Sequence, residues 1–420
     1  MYSGIRTARR MPLERRKTRR ARVAGLLLVI LLPIALVFGF WKLWQLSRPA
    51  APRQTVSAAA SQKADAAPLS AEKDAAAAAA PAVQPTQVTL MALGDNLIHN
   101  TVYWSAQKPD GSYDFTPMYA DIRPVVQEYD IACINQETIF VKDPAQYSNY
   151  PAFGGPTQVG DALAWAGFDV VEQATNHCYD KLDTGIHNTL DFWRQSHPEM
   201  TVLGIHDSEA DAEKIRVVEK NGIRIAMLNY TYGLNYSAPA NRWMVDTLWD
   251  REKIADDIAR AKAQSDFVIV FAHWGEEGST TPSDEQRSLA QFFADQGVGL
   301  VIGGHVHVLQ PLETFTGSGG SQMPVYFSLG NFLSHQDQAK NMLGGMASVT
   351  IRKDDSGTRA VSTLLYPTVT LIEKNPSARW YLYRPMLLID YTDDLAKLHI
   401  LPGTGVNDMW DLYHSIIPAG

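Results

Sequence analysis

Cysteine is nearly absent: there are two in 420 residues, Cys133 and Cys178. At most one disulfide can form, and two buried free thiols satisfy the sequence as well. Positive charge is scarce outside the amino terminus. Of the 37 Lys and Arg, eleven lie in residues 1–48 beside a single acid, Glu14, which leaves 26 basic against 44 acidic side chains in the remainder. A body with a formal charge of −18 argues against nucleic-acid binding and against a surface that wraps a polyanion. No internal repeat is visible. Long apolar runs are equally rare, with one exception.

That exception is Val23–Trp41, which follows a tail holding Arg6, Arg9, Arg10, Arg15, Arg16, Lys17, Arg19, Arg20 and Arg22. At about 1.5 Å per residue such a helix crosses a bilayer core of about 30 Å. Arginines before it and Trp41 and Trp44 after it predict an inside amino terminus and an extracellular body. A cleaved signal peptide competes, but the run is long for one and no convincing A-x-A site follows. The expectation is a cytoplasmic basic tail at 1–22, a transmembrane signal-anchor at 23–45 and a single-pass protein at the cell membrane. Residues 46–86, rich in Ala and Pro, have too few large apolar side chains to order themselves and predict a disordered tether.

From Gln87 to Gly420 the pattern alternates. Strand-like runs occupy Gln87–Leu93, Ile131–Ile134, Phe168–Gln173, Ile223–Asn229, Asp266–Phe271, Leu300–Ile302 and Val325–Ser328. Helical patterns fall at Val159–Gly167, Thr184–Ser196 with Asp183 as N-cap, Thr247–Gln264, and Ser283–Gln296. Alternation of this kind predicts an α/β fold, a layered sheet core flanked by helices, with an antiparallel portion after Ala347.

The chemistry-bearing residues stand where these strands stop. Val298–Ile302 ends in Gly303-Gly304, followed by His305 and His307; alternate residues of an extended segment point the same way, so both imidazoles can converge. The glycines let another group approach closely. Asp95, Glu137, Asn176, His177 and His273 likewise follow apolar runs within three positions. Ligands of open α/β sheets bind beyond the carboxyl ends of strands. Hard oxygens, an amide and imidazoles together suit a divalent first-row metal.

The segments GDNLIH, INQET, YPAFGGP, GFDVVEQATNHCYD, VIVFAHWGEE, DEQRSLAQFFADQGVGLVIGGHVHVLQPLE and YFSLGNF together resemble the CapA family of poly-γ-glutamate capsule biosynthesis proteins. That family is similar in fold to calcineurin-like metallophosphoesterases, and the likeness runs through most of residues 87–375. It implies metal ligation by Asp95, Glu137 (bridging), Asn176, His273, His305 and His307. It also implies that His177 stands near the leaving group as general acid. Two departures bear on the metal count: Leu97 stands where the superfamily's Asp-x-His has histidine, with His99 two residues on, and Glu137 replaces an aspartate. One or two ions, Mn, Fe or Zn, are expected. Glu277 and Asn331 are candidates for orienting ligands or touching substrate, as is His99. Asp180 and Gly185 suit a turn, Ser328 a substrate contact, and Tyr230, Tyr232, Tyr236 and Trp243 a cleft or the core.

The anchor pattern and this resemblance together imply a membrane-anchored, extracellular protein of capsule polymer synthesis, a metal-dependent hydrolase or transferase. Its substrate would be a phosphoester or polyanion, and its partners other membrane proteins of polymer synthesis. The alternative is a non-catalytic assembly or export component with a structural metal.

Overall fold

The computed structural model describes residues 85–417, apart from Ser237 and residues 378–379. The basic tail, the anchor and the tether through Gln84 lie outside the described residues. Among those described, no helix is long and apolar enough to cross a membrane. The longest of them, Leu182–Ser196, has 15 residues, about 22 Å at 1.5 Å per residue, short of the roughly 30 Å of a bilayer core. Within the described residues the expected membrane-anchored fold class is corrected to one without a transmembrane helix, and the signal-anchor and single-pass location find no support there. What the structure supports is a mixed α/β core flanked by helices.

Strands β1 (Thr86–Asn96), β2 (Ile131–Gln136), β3 (Val170–Glu172) and β4 (Thr201–Leu203) open a first sheet, all parallel. A second sheet follows: β5 (Arg216–Lys220), β6 (Ile223–Thr231), β7 (Phe267–Trp274), β8 (Leu300–His305), β9 (Leu312–Thr316) and β10 (Gln322–Tyr326). Its order is β5-β6-β7-β8-β10-β9, parallel from β6 to β10. The chain then returns to the first sheet with β11 (Asn331–Leu333), β12 (Leu343–Asp354), β13 (Gly357–Lys374) and β14 (Tyr381–Leu387). The first sheet reads β14-β13-β12-β1-β2-β3-β4, with β11 added beside β1.

The mainly parallel sheet expected from the sequence is thus two sheets packed face to face. Alternation along each strand explains why. In β6, Ile223, Ile225 and Met227 join Val88, Leu90 and Ala92 of β1 in the core between the sheets. Ala226, Leu228 and Tyr230 pack the opposite way, with Ile254 and Ile258 of helix Arg251–Gln264 and Leu289 and Phe293 of helix Asp284–Gln296. The outer face of the first sheet carries Met91, Leu93 and Ile134 against Val159, Leu163 and Trp193 of helices Gln158–Ala166 and Leu182–Ser196.

Helix ends follow their capping chemistry. Ser283 and Gln286 form a capping box, and Asp250 accepts from the amides of Glu252 and Lys253, so that helix opens four residues later than its apolar pattern suggests. Asp183 is not an N-cap; it lies inside a helix that starts at Leu182. Cys133 and Cys178 are free and buried.

At its carboxyl end β1 changes neighbour. It pairs with β12 antiparallel as far as Leu93, opposite Met346, and from Asp95 pairs with β11 in parallel, Asp95 opposite Asn331. The sheet forks there, and the fork is one wall of the site described below.

A charge cluster closes β4. His206 Nε2 lies 2.8 Å from Asp246 Oδ2, and Arg216 holds Asp211 at 2.8 Å on the other side of the ring. Burial works against a charged ring here, but the Asp246 and Asp211 carboxylates outweigh it and raise His206 to about 9. A raised histidine stabilises the fold fully below its ordinary 6.5, and that stability is lost as pH climbs through about 9. Denaturant unfolding of the wild type and His206→Gln at pH 6 and pH 9.5 is expected to show a gap that shrinks by roughly 3 kcal/mol at the higher pH.

Candidate metal centre

Five of the expected site residues meet at the carboxyl ends of β1, β2, β7 and β8. Asp95, Glu137 and His307 present ligand atoms all within 4.8 Å of one another, and so do Glu137, His273 and His305. The two triads share Glu137. All five are buried.

Glu137 follows β2 and has 0 % exposure, yet neither carboxylate oxygen has a hydrogen-bond partner. His305 Nδ1 is also buried and unpartnered. Orphaned acceptors of this kind are costly unless paired or ligating. The donor set therefore fits a divalent cation: two carboxylates and three imidazoles, facing one space. Burial pushes the Glu137 carboxyl well up, with His307 drawing it back and Asp95 pushing it further. Burial also holds His273 well down and His305 at about 3. Both imidazoles are thus neutral, the form that ligates. At His307 burial is outweighed by Glu137 and Asp95, which raise it to about 9.

The backbone delivering His305 and His307 is not extended. Both residues have positive φ, 92° and 59°, so the rings arrive by two left-handed turns rather than by strand alternation. The preceding glycines make room: a Cβ on Gly304 would lie 2.6 Å from Asp95 Oδ1, closer than any side chain tolerates. Asp95 is fixed by the His305 amide and by Asn135, whose Nδ2 donates to Asp95 Oδ1 at 2.7 Å and stands 3.2 Å from His273 Nδ1. Asn331 is buried, with Oδ1 3.1 Å from His307 Nδ1 and Nδ2 donating to Gln336, so it orients that ring.

Asn176 and His177 come from the turn after β3. Asn176 Oδ1 lies 2.8 Å from His273 Nε2. His177 Nδ1 is 2.6 Å from Asp180 Oδ2, and Asp180 also accepts from the Phe153 amide. Asp180 engages Nδ1, which leaves Nε2 as the ring nitrogen without a carboxylate partner; Asn235 Nδ2 stands 2.9 Å from Nδ1 and 3.3 Å from Nε2.

Other residues fall elsewhere. His99 is not in either triad: its Nδ1 accepts from the His335 amide, and its ring meets Phe153 edge-on. Leu97 is buried. Glu277 borders a cavity of about 280 Å³ that reaches His307 and Lys340. Ser328 is fully buried and donates to the Val308 carbonyl, which makes it part of the scaffold. The aromatic group splits: Tyr230 is core and bonds to Asp257, Trp243 is half-buried, and Tyr232 and Tyr236 are exposed. Sequence reasoning missed Asn135 and Asn235. The first carried a signal, two positions before Glu137 at a strand end; the second sits in a long loop and carried none.

A buried, partly neutral donor cluster at strand ends supports metal-dependent hydrolase activity. The chain matches the bacterial capsule synthesis protein PGA_cap family over residues 89–336. It is 32% identical over 194 residues to the PGA biosynthesis protein CapA of Bacillus subtilis, covering 45% of this chain and 49% of that one. It spans about half the length of the curated relatives it matches. Among solved structures it is similar to a novel phosphatase from Mycoplasma pneumoniae at 14% identity, covering 68% of this chain and 95% of that chain with a TM-score of 0.43. It is also similar to a calcineurin-like phosphoesterase from Bacillus subtilis at 11% identity, covering 79% and 98% with a TM-score of 0.38. With more than half of its length matched, the chain belongs to the PGA_cap family, the CapA family that its strand-end motifs resemble.

Proposed function

We propose that the domain is a metal-dependent hydrolase or transferase working at a phosphoester, in the synthesis of a capsule polymer. The observation that carries this reading is the buried, unpartnered Glu137 carboxylate shared by two triads. Asp95, Glu137 and His307 would hold one ion, and Glu137, His273 and His305 a second, with Asn176 beside it. Mixed imidazole and carboxylate donors suit Mn, Fe or Zn. Bound there, divalent ions supply polarisation of a phosphoryl oxygen and an activated water.

The protein's own groups would do the rest. Asp180 holds His177 in one orientation, and Nε2 would deliver a proton to the departing oxygen. Asn135 keeps Asp95 and His273 in fixed relation, and Asn331 does the same for His307. The capsule setting follows the name of the Bacillus subtilis relative, a PGA biosynthesis protein; partners would be other proteins of polymer synthesis. A second reading, an assembly component with a structural metal, is favoured by one observation: buried Leu97 offers no ligand where a histidine would complete the first triad.

Elemental analysis of the purified full chain, with turnover of a chromogenic phosphodiester with and without Mn²⁺, separates the two. Bound metal without turnover would sink the enzyme reading. Glu137→Ala is expected to abolish metal binding, whereas Asn331→Ala weakens it roughly 10–100-fold by freeing the His307 ring. His177→Ala is expected to lower kcat by roughly 10²–10⁴-fold with metal content unchanged.

A further inference from the structure

Beside the metal centre lies a cleft of about 710 Å³ that the ligand set does not explain. Tyr232 joins the two. Its ring is tilted against His305 with centroids 4.3 Å apart, yet the residue is 41% exposed. Its amide donates to the His273 carbonyl, so both the backbone and the ring are tied to ligand residues. Further out, Trp249 is 48% exposed, and its indole N–H donates to the Tyr232 carbonyl at 2.8 Å. That bond fixes the indole and leaves its face to solvent. Two large rings held rigid at the surface are preorganised contact area, since little side-chain freedom remains to be lost on binding.

The charges around them narrow the occupant. Arg251 is engaged, 3.6 Å from Glu285 and stacked over Phe292. Glu276 and Asp284 are the other charged residues of the lining, so three acids accompany one committed cation. A polyanion such as a γ-glutamyl chain is repelled by that balance and offers no ring to stack. A pyranose offers C–H faces for Tyr232 and Trp249, and hydroxyl donors for the carboxylates.

We propose that this cleft is a substrate subsite for a neutral, hydroxyl-rich ring, a glycosyl unit, held next to the metal centre. The proposal rests on the metallohydrolase reading only for placing the reacting bond; binding in the cleft stands apart from turnover. The test titrates maltotetraose, chitotetraose, a γ-glutamyl hexamer and adenosine into the metal-loaded full chain, by calorimetry and saturation-transfer NMR. Saturable binding of a neutral tetrasaccharide is expected, weakened roughly tenfold in Trp249→Ala and also weakened in Glu276→Gln, with the thermal midpoint of each variant close to wild type. Tighter binding of the hexamer or of adenosine, sugar binding indifferent to both substitutions, or no sugar binding would overturn it. If phosphodiester turnover persisted through that last result, the metal centre would stand and only the subsite would fall.

Discussion

Everything around the centre answers to one electrostatic problem, the Glu137 carboxylate sealed from water with no hydrogen bond to either oxygen. An isolated buried carboxylate is among the most expensive groups a fold can carry. The surrounding strands do not relieve that cost with a lysine or an amide. They bring His307 and His273 to within 4 Å of it, at 3.7 and 3.8 Å, and face it with Asp95, which makes matters worse until a cation arrives. The geometry is economical only for a protein that binds positive charge there, so site and fold share one explanation.

Much of this was legible in the sequence because parallel strands collect function at their carboxyl ends. Apolar runs that stop abruptly at Asp95, Glu137, His273 and His305 mark the convergence in the sequence itself. What could not be read was pairing. Nothing in the local pattern of β6 or β7 tells which sheet they join, since alternation specifies two faces but not what covers them. The left-handed turns at His305 and His307 were hidden for a similar reason. A histidine with positive φ is tolerated only where the neighbourhood over-determines it, and here that neighbourhood is Asp95, more than two hundred residues away.

The departures from the superfamily pattern also become physical. His99 looked able to stand in for the histidine missing at Leu97. The turn after Asn96 instead sends it toward His335 and Phe153, where a main-chain amide occupies its nitrogen. The positioning amides, Asn135 and Asn331, take over part of the ordering that another ligand would provide. Spacing flagged Asn331 as a candidate and left Asn135 at a strand end, but which group each amide holds follows only from long-range contacts.

The fork in the first sheet has one more consequence. Because β11 leans on Asp95 through main-chain pairing while Asn331 touches His307, the short segment between β10 and β11 sets the position of both acid and imidazole. Its length cannot drift. A single inserted residue there would swing Asn331 to the opposite side of its strand, whereas the turn between β9 and β10, remote from the fork, is free to vary in length. Tolerance to insertion should thus differ sharply between two loops only a few residues apart in the chain.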